Sequence, residues 1–211
     1  MGHFIVVTER QEALFVPFRN GDGSEDPLII NLREFDREAR TPSLMLKVDD
    51  VLSSTWISDH APITFHWFAR SRETTKDSTT GLKGSGSNKM TDVVIVLLND
   101  PYISSLETNM QNGEQFNQIS IKQLHWVGSE RPQIIWEKIF GTVRIIQIVP
   151  GKIYTAVVFR ANKILTTRYQ FSQADGSLVG NAPTSYNFET GQSDTDLTAA
   201  PQPVGGLLGK I

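Results

Sequence analysis

Short apolar runs separated by turn residues recur along the chain, at residues 4–7, 13–18, 28–32, 44–48, 63–68 and 93–98. Runs of this length, rich in Val, Ile, Phe and Trp, are strand signals, and their repetition restricts the chain to a mainly β fold. Several alternate cleanly. Ile63, Phe65 and Trp67 oppose Thr64 and His66, while Leu165, Thr167, Tyr169 and Phe171 oppose Thr166, Arg168 and Gln170, so the first set of each is expected to face a core. The second run leads into Asp175-Gly176, a turn dipeptide that predicts a hairpin. Residues 145–149 and 157–159 differ in carrying apolar side chains on both faces. Such strands are expected to have a core on one side and a helix or a neighbouring subunit on the other.

One segment breaks the strand pattern. Residues 99–113 hold Asn99 or Asp100 as a cap, Pro101 suited to the first helical position and Gly113 suited to the left-handed C′ position. Tyr102 or Ile103, Leu106 and Met110 then share one side, which predicts a single short helix laid on the sheet. Two other stretches look unlike core elements. Residues 70–88 contain one apolar residue, Leu82, with Gly81, Gly84 and Gly86, and predict a long extended loop. Residues 191–211 predict a flexible or docking tail.

Length and composition narrow the chemistry. A chain of 211 residues can bury a sufficient core unaided, and with no cysteine it has neither disulfides nor thiolate chemistry. A net charge of −3, with scattered basic residues, argues against a nucleic-acid partner. No apolar run is long enough for a membrane span or a signal h-region, and Val6 stands where myristoylation needs Ser or Thr, so no membrane anchor is expected.

No catalytic, cofactor or metal site is expected. His66-Trp67 and His125-Trp126 repeat a dipeptide and His60 follows Asp59, yet no two histidines have helical ligand spacing, and strand histidines beside core tryptophans are the simpler reading. Gly84-Ser85-Gly86-Ser87 lacks the strand-to-helix context of a nucleophile elbow or phosphate loop. Asp49-Asp50 and Asp194 with Asp196 read as solvated turn carboxylates.

From residue 44 onward the order of features resembles the haemolysin-coregulated protein (Hcp) family, the tube protein of bacterial type VI secretion systems. The resemblance begins at Met45-Leu46-Lys47-Val48-Asp49-Asp50-Val51 and continues through the tryptophan strand Ile63-Thr64-Phe65-His66-Trp67. The long loop, the strand at 89–98, the helix with its Gly113-Glu114-Gln115-Phe116 exit, and strands at 118–126, 133–149, 154–159 and 164–171 follow in order. Ala174-Asp175-Gly176-Ser177-Leu178-Val179-Gly180 and residues 185–191 are similar to the closing hairpin.

The resemblance implies a small β-barrel of two antiparallel sheets with one helix packed on it. It divides the chain into an N-terminal extension, 1–43, expected as strands packed on the main domain, a barrel domain, 44–190, and the tail, 191–211. It also implies self-assembly into stacked hexameric rings, with sheath, spike or baseplate and effector partners. Export would follow synthesis in the cytosol without a cleaved signal peptide. The loop would carry ring stacking through Thr75, Lys76, Asp77, Gly81, Leu82, Lys83, Gly84, Gly86 and Lys89. The tail-tube protein of a phage-like contractile particle is a close alternative. A β-sandwich binding glycan or lipid on Trp56, Trp67, Trp126 and Trp136 is a more distant one.

Overall fold

The computed structural model describes residues 13–20, 23–31, 43–48, 60–76, 83–127, 131–172 and 176–193, with backbone alone for 18, 73–76, 83–87, 126–127 and 131–132. Asp49, Asp50, Trp56, residues 32–42, Asp77, Gly81, Leu82, Asp175, Asp194 and Asp196 lie outside the described residues.

The chain is a strand protein with one helix. In order it forms β1 (Ala13–Arg19), β2 (Glu25–Asn31), β3 (Leu44–Val48), β4 (Ala61–Pro62), β5 (Phe65–Trp67), β6 (Arg70–Lys76) and β7 (Lys83–Met90). Then come β8 (Val93–Leu98), α1 (Tyr102–Gln111), β9 (Phe116–Val127), β10 (Arg131–Pro150), β11 (Tyr154–Phe171) and β12 (Leu178–Asn187). The main sheet runs β4-β3-β9-β10-β11-β8-β5, with β12 also on β11, and every pairing in it is antiparallel.

The two outermost strands of that order, β4 and β5, are separated by only Ile63 and Thr64. Ile63 N–H donates to Leu44 O at 3.0 Å and Thr64 N–H to Val96 O at 2.8 Å. One strand thus leaves β3 and joins β8 within a single step, which curls the sheet onto itself and satisfies both edges. The two sheets expected from the sequence are halves of one continuous sheet, because the 20-residue β10 and 18-residue β11 run through both. Bulges between Ile134 and Trp136 and between Ile145 and Gln147, with Thr142 at φ 54° between them, supply the bending that such long strands need.

The curled sheet encloses the larger core. Val93, Ile95 and Leu97 of β8, Ile119 and Ile121 of β9, Phe140 and Val143 of β10, and Val157, Phe159 and Ile164 of β11 all point into it. Phe140 lies edge-on to Phe68 and Phe159 at centroid distances of 5.4 and 5.3 Å. Helix α1 adds Tyr102, Ile103 and Leu106 to this core. Its ends follow the sequence. Asp100 Oδ1 accepts the Tyr102 N–H at 3.3 Å, and Gly113, at φ +67°, completes a Schellman cap in which Gly113 N–H reaches Met110 O and Glu114 N–H reaches Asn109 O. Asn99 takes no part in the cap: its side chain donates to Gly151 O and accepts from Thr155 Oγ1, tying the helix start to the β10–β11 turn.

The other face of β8 and β11 explains the strands that are apolar on both sides. Val94, Val96, Tyr154, Ala156 and Val158 form a second core with Leu14, Val16 and Ile30 of the β1–β2 hairpin. For residues 157–159 the second face is covered by the same chain's N-terminal hairpin, whereas in residues 145–149 Ile145 packs in the core that α1 joins and Ile146 stays exposed. Asp92 fastens the hairpin: its carboxylate accepts two bonds from Arg160, at 2.8 and 3.1 Å, and the Arg19 N–H at 3.2 Å. Leu165, Thr167 and Tyr169 are buried or half-buried on the outer face of the sheet, while Ile164 of the opposite set fills the barrel.

Candidate assembly surface

The segment read as a loop is a two-stranded arm. β6 and β7 pair with each other and with no other strand among the described residues, so the arm leaves the barrel as a free hairpin between β5 and β8. Its register is Arg70↔Met90, Ser71↔Lys89, Arg72↔Asn88, Thr74↔Ser85, Thr75↔Gly84 and Lys76↔Lys83, with a shift between Arg72 and Thr74. Polar, β-compatible residues over 70–76 make extended pairing possible even though hydrophobic periodicity is absent, which is why a periodicity argument misses it. The base is held by Thr91: its N–H donates to Ala69 O at 3.0 Å, and its hydroxyl accepts the Ala69 N–H at 2.9 Å.

Of the residues singled out for ring stacking, Thr75, Lys76, Lys83, Gly84, Gly86 and Lys89 lie along this arm, whereas Asp77, Gly81 and Leu82 fall outside the described residues. Gly84 and Gly86 stand within a strand, so the Gly-Ser-Gly-Ser sequence is hairpin backbone rather than a phosphate loop. Residues 70–90 carry five basic and two acidic side chains, a local excess of positive charge on a protein whose net charge is −3.

Beside the arm, side chains that sequence reasoning treated as ordinary come together inside the barrel. Lys138 Nζ donates to His66 Nε2 at 3.0 Å and lies over the rings of Trp136, 4.3 Å from its centroid, and Phe68, at 4.9 Å. His66 in turn meets Trp136 at 5.2 Å. Burial, reinforced by the Lys138 charge, pushes the His66 imidazole down to about 4, so at neutral pH the neutral ring accepts from the ammonium. Burial also lowers Lys138 to about 8, with further contributions from Arg70 and Arg168. Only an inward-facing Lys at alternating position with Trp136 and Phe140 signals this cluster in the sequence.

On the outer face Lys122 and Glu137 form a buried pair at 3.4 Å, and Tyr169 O–H donates to Glu137 at 3.4 Å beside Met45, Leu124 and Ile134. This network is internally matched and has the character of structural support. Trp67 and Trp136 are half-buried and packed against the two cores, so neither offers an open stacking platform for a glycan. Among the described residues no three His, Asp or Glu side chains converge as metal ligands, and no helix is long and apolar enough to cross a membrane.

The architecture is thus a curled β-barrel with one capped helix and a two-stranded arm. Among solved structures this fold is that of the Hcp proteins of type VI secretion. The chain covers all of a structure described as a type six secretion system protein with 73% of its own length, at a TM-score of 0.61 and 13% identity. It matches Hcp1 from Salmonella typhimurium at a TM-score of 0.55 and 12% identity, with 72% of this chain on 97% of that one. For Hcp1 from the E. coli EAEC 042 pathovar the values are 0.52 and 14%, with 70% of this chain on 99% of that one. No family model matches the sequence, and no curated protein matches it in sequence.

Proposed function

We propose that this protein is the protomer of the inner tube of a type VI secretion system, closing into hexameric rings that stack and are propelled outward. One observation carries this reading: the full length of a type VI secretion protein is reproduced in fold at 13% identity, so the architecture is kept while nearly every side chain has changed. The role is mechanical rather than catalytic. Sheath, spike and effector proteins would be the partners, and export would proceed through the apparatus itself.

The arm is the part of the molecule suited to joining rings. A two-stranded hairpin is marginal alone in water, and docking on an adjacent ring would give it a further strand partner, which it does not have among the described residues. Contacts within a ring would bury on the order of 1,000 Å² for each pair of protomers. Leu178 and Val179, exposed at the start of β12, are suited to contribute to them. To test the arm, residues 74–85 are replaced by a two-residue Asn-Gly turn and the protein is imaged in negative stain. Rings that no longer stack are the expected result; stacked tubes indistinguishable from the parent's would remove the arm from the interface between rings.

A further inference from the structure

We propose that the mouth of the barrel is a binding site for carboxylate side chains of an acidic polypeptide segment, held by Arg70, Arg168 and Lys138 over a floor of Trp136 and Phe68. The strand register builds it. Arg168 is the cross-strand partner of Trp136, and Lys138, paired with Thr166, lies diagonally beside it on the same face. Arg70 follows Phe68 by two residues at the root of the arm. Three cations therefore meet at one end of the barrel.

Arg70, Arg168 and Lys138 form no ion pair with a carboxylate among the described residues, and the nearby Glu137 faces the opposite side of the sheet, engaged with Lys122. Burial first, and then the charges of both arginines, make the Lys138 ammonium lose its proton more readily. Lys138, partly withdrawn from water beside two exposed guanidinium groups, is better held as an ammonium when an anion joins the three.

The form of the site favours a peptide. Arg70 also borders an open cleft of about 320 Å³ between the arm and β12, lined by Arg72, Asn88, Ser185, Tyr186 and Phe188. This space admits side chains carried on an extended backbone. Paired guanidinium groups suit bidentate carboxylate recognition. The assignment is independent of tube formation, since it needs only the folded chain.

Calorimetric titration of the purified protein with hexaglutamate, and separately with inorganic phosphate, tests it. The peptide is expected to bind at low salt, to weaken about tenfold or more between 20 and 300 mM NaCl, and to raise the Lys138 pKa. The R70Q/R168Q variant changes two exposed side chains, and its circular dichroism is expected to match the parent. Its affinity for the peptide is expected to fall at least about tenfold. Undetectable binding by the parent, or equal binding by the variant, overturns the proposal. Phosphate binding as tightly as the peptide overturns the assignment to a polypeptide.

Discussion

Lys138 holds its ammonium against two aromatic rings and a neutral imidazole, and that placement makes the stability of the fold depend on pH. The folded chain binds this proton less tightly than the unfolded one, with a pKa of about 8 against an ordinary 10.5. Between those values the unfolded state carries more protons, so this group's effect is to raise stability as pH climbs. His66 acts at the acid side in the same sense. Its folded pKa of about 4 lies below the ordinary 6.5, and as pH falls between these values the unfolded state protonates first and stability is lost. Lys138→Met is expected to remove the alkaline dependence and raise stability near pH 7, because a flexible apolar chain fills the same space without a charge to desolvate. Urea melts from pH 7 to 11 would read this directly, and an unchanged slope would show that Lys138 is solvated. The same substitution is expected to move the His66 pKa upward in proton NMR, since it deletes one of the two causes of its depression.

At the scale of elements, the β1–β2 hairpin gives the sharpest contrast between two neighbouring residues. Leu14 is 1% exposed against Val94, Val96 and Val158, whereas Phe15, across the ladder from Ile29, is 48% exposed. Leu14→Ala is expected to cost about 3 kcal/mol through lost burial and a residual cavity, and Phe15→Ser less than about 0.5 kcal/mol. Chemical denaturation of both variants tests whether the hairpin is part of the barrel's cooperative unit; equal, small effects would make it a loosely attached decoration. The strands, the helix and its glycine cap were legible in the sequence because alternation and capping are local signals. Which face of β11 meets the barrel interior was not. Leu165, Thr167 and Tyr169 alternate as a core set would, yet they pack on the outer face, while Ile164 turns inward. Burial on both faces leaves alternation without the information to choose. The arm stayed hidden for the opposite reason, since its pairing carries no apolar period, and the meeting of Lys138 with His66 depends on curvature that brings distant strands together.

For the whole molecule, closure is the governing event. The step at Ile63 and Thr64 turns a sheet with two open edges into a barrel, leaving, among the described residues, the arm paired with no other strand, β12 at an edge, and Leu178 and Val179 exposed. The N-terminal hairpin that covers the second apolar face of β8 and β11 removes that face as a reason to expect a subunit contact, whereas Ile146 of β10 stays exposed. Negative-stain electron microscopy of the purified full-length protein, over a range of concentrations, tests the central claim most directly. Closed six-membered rings, some stacked face to face into short tubes, are the predicted result. A field of monomers at every concentration would contradict it.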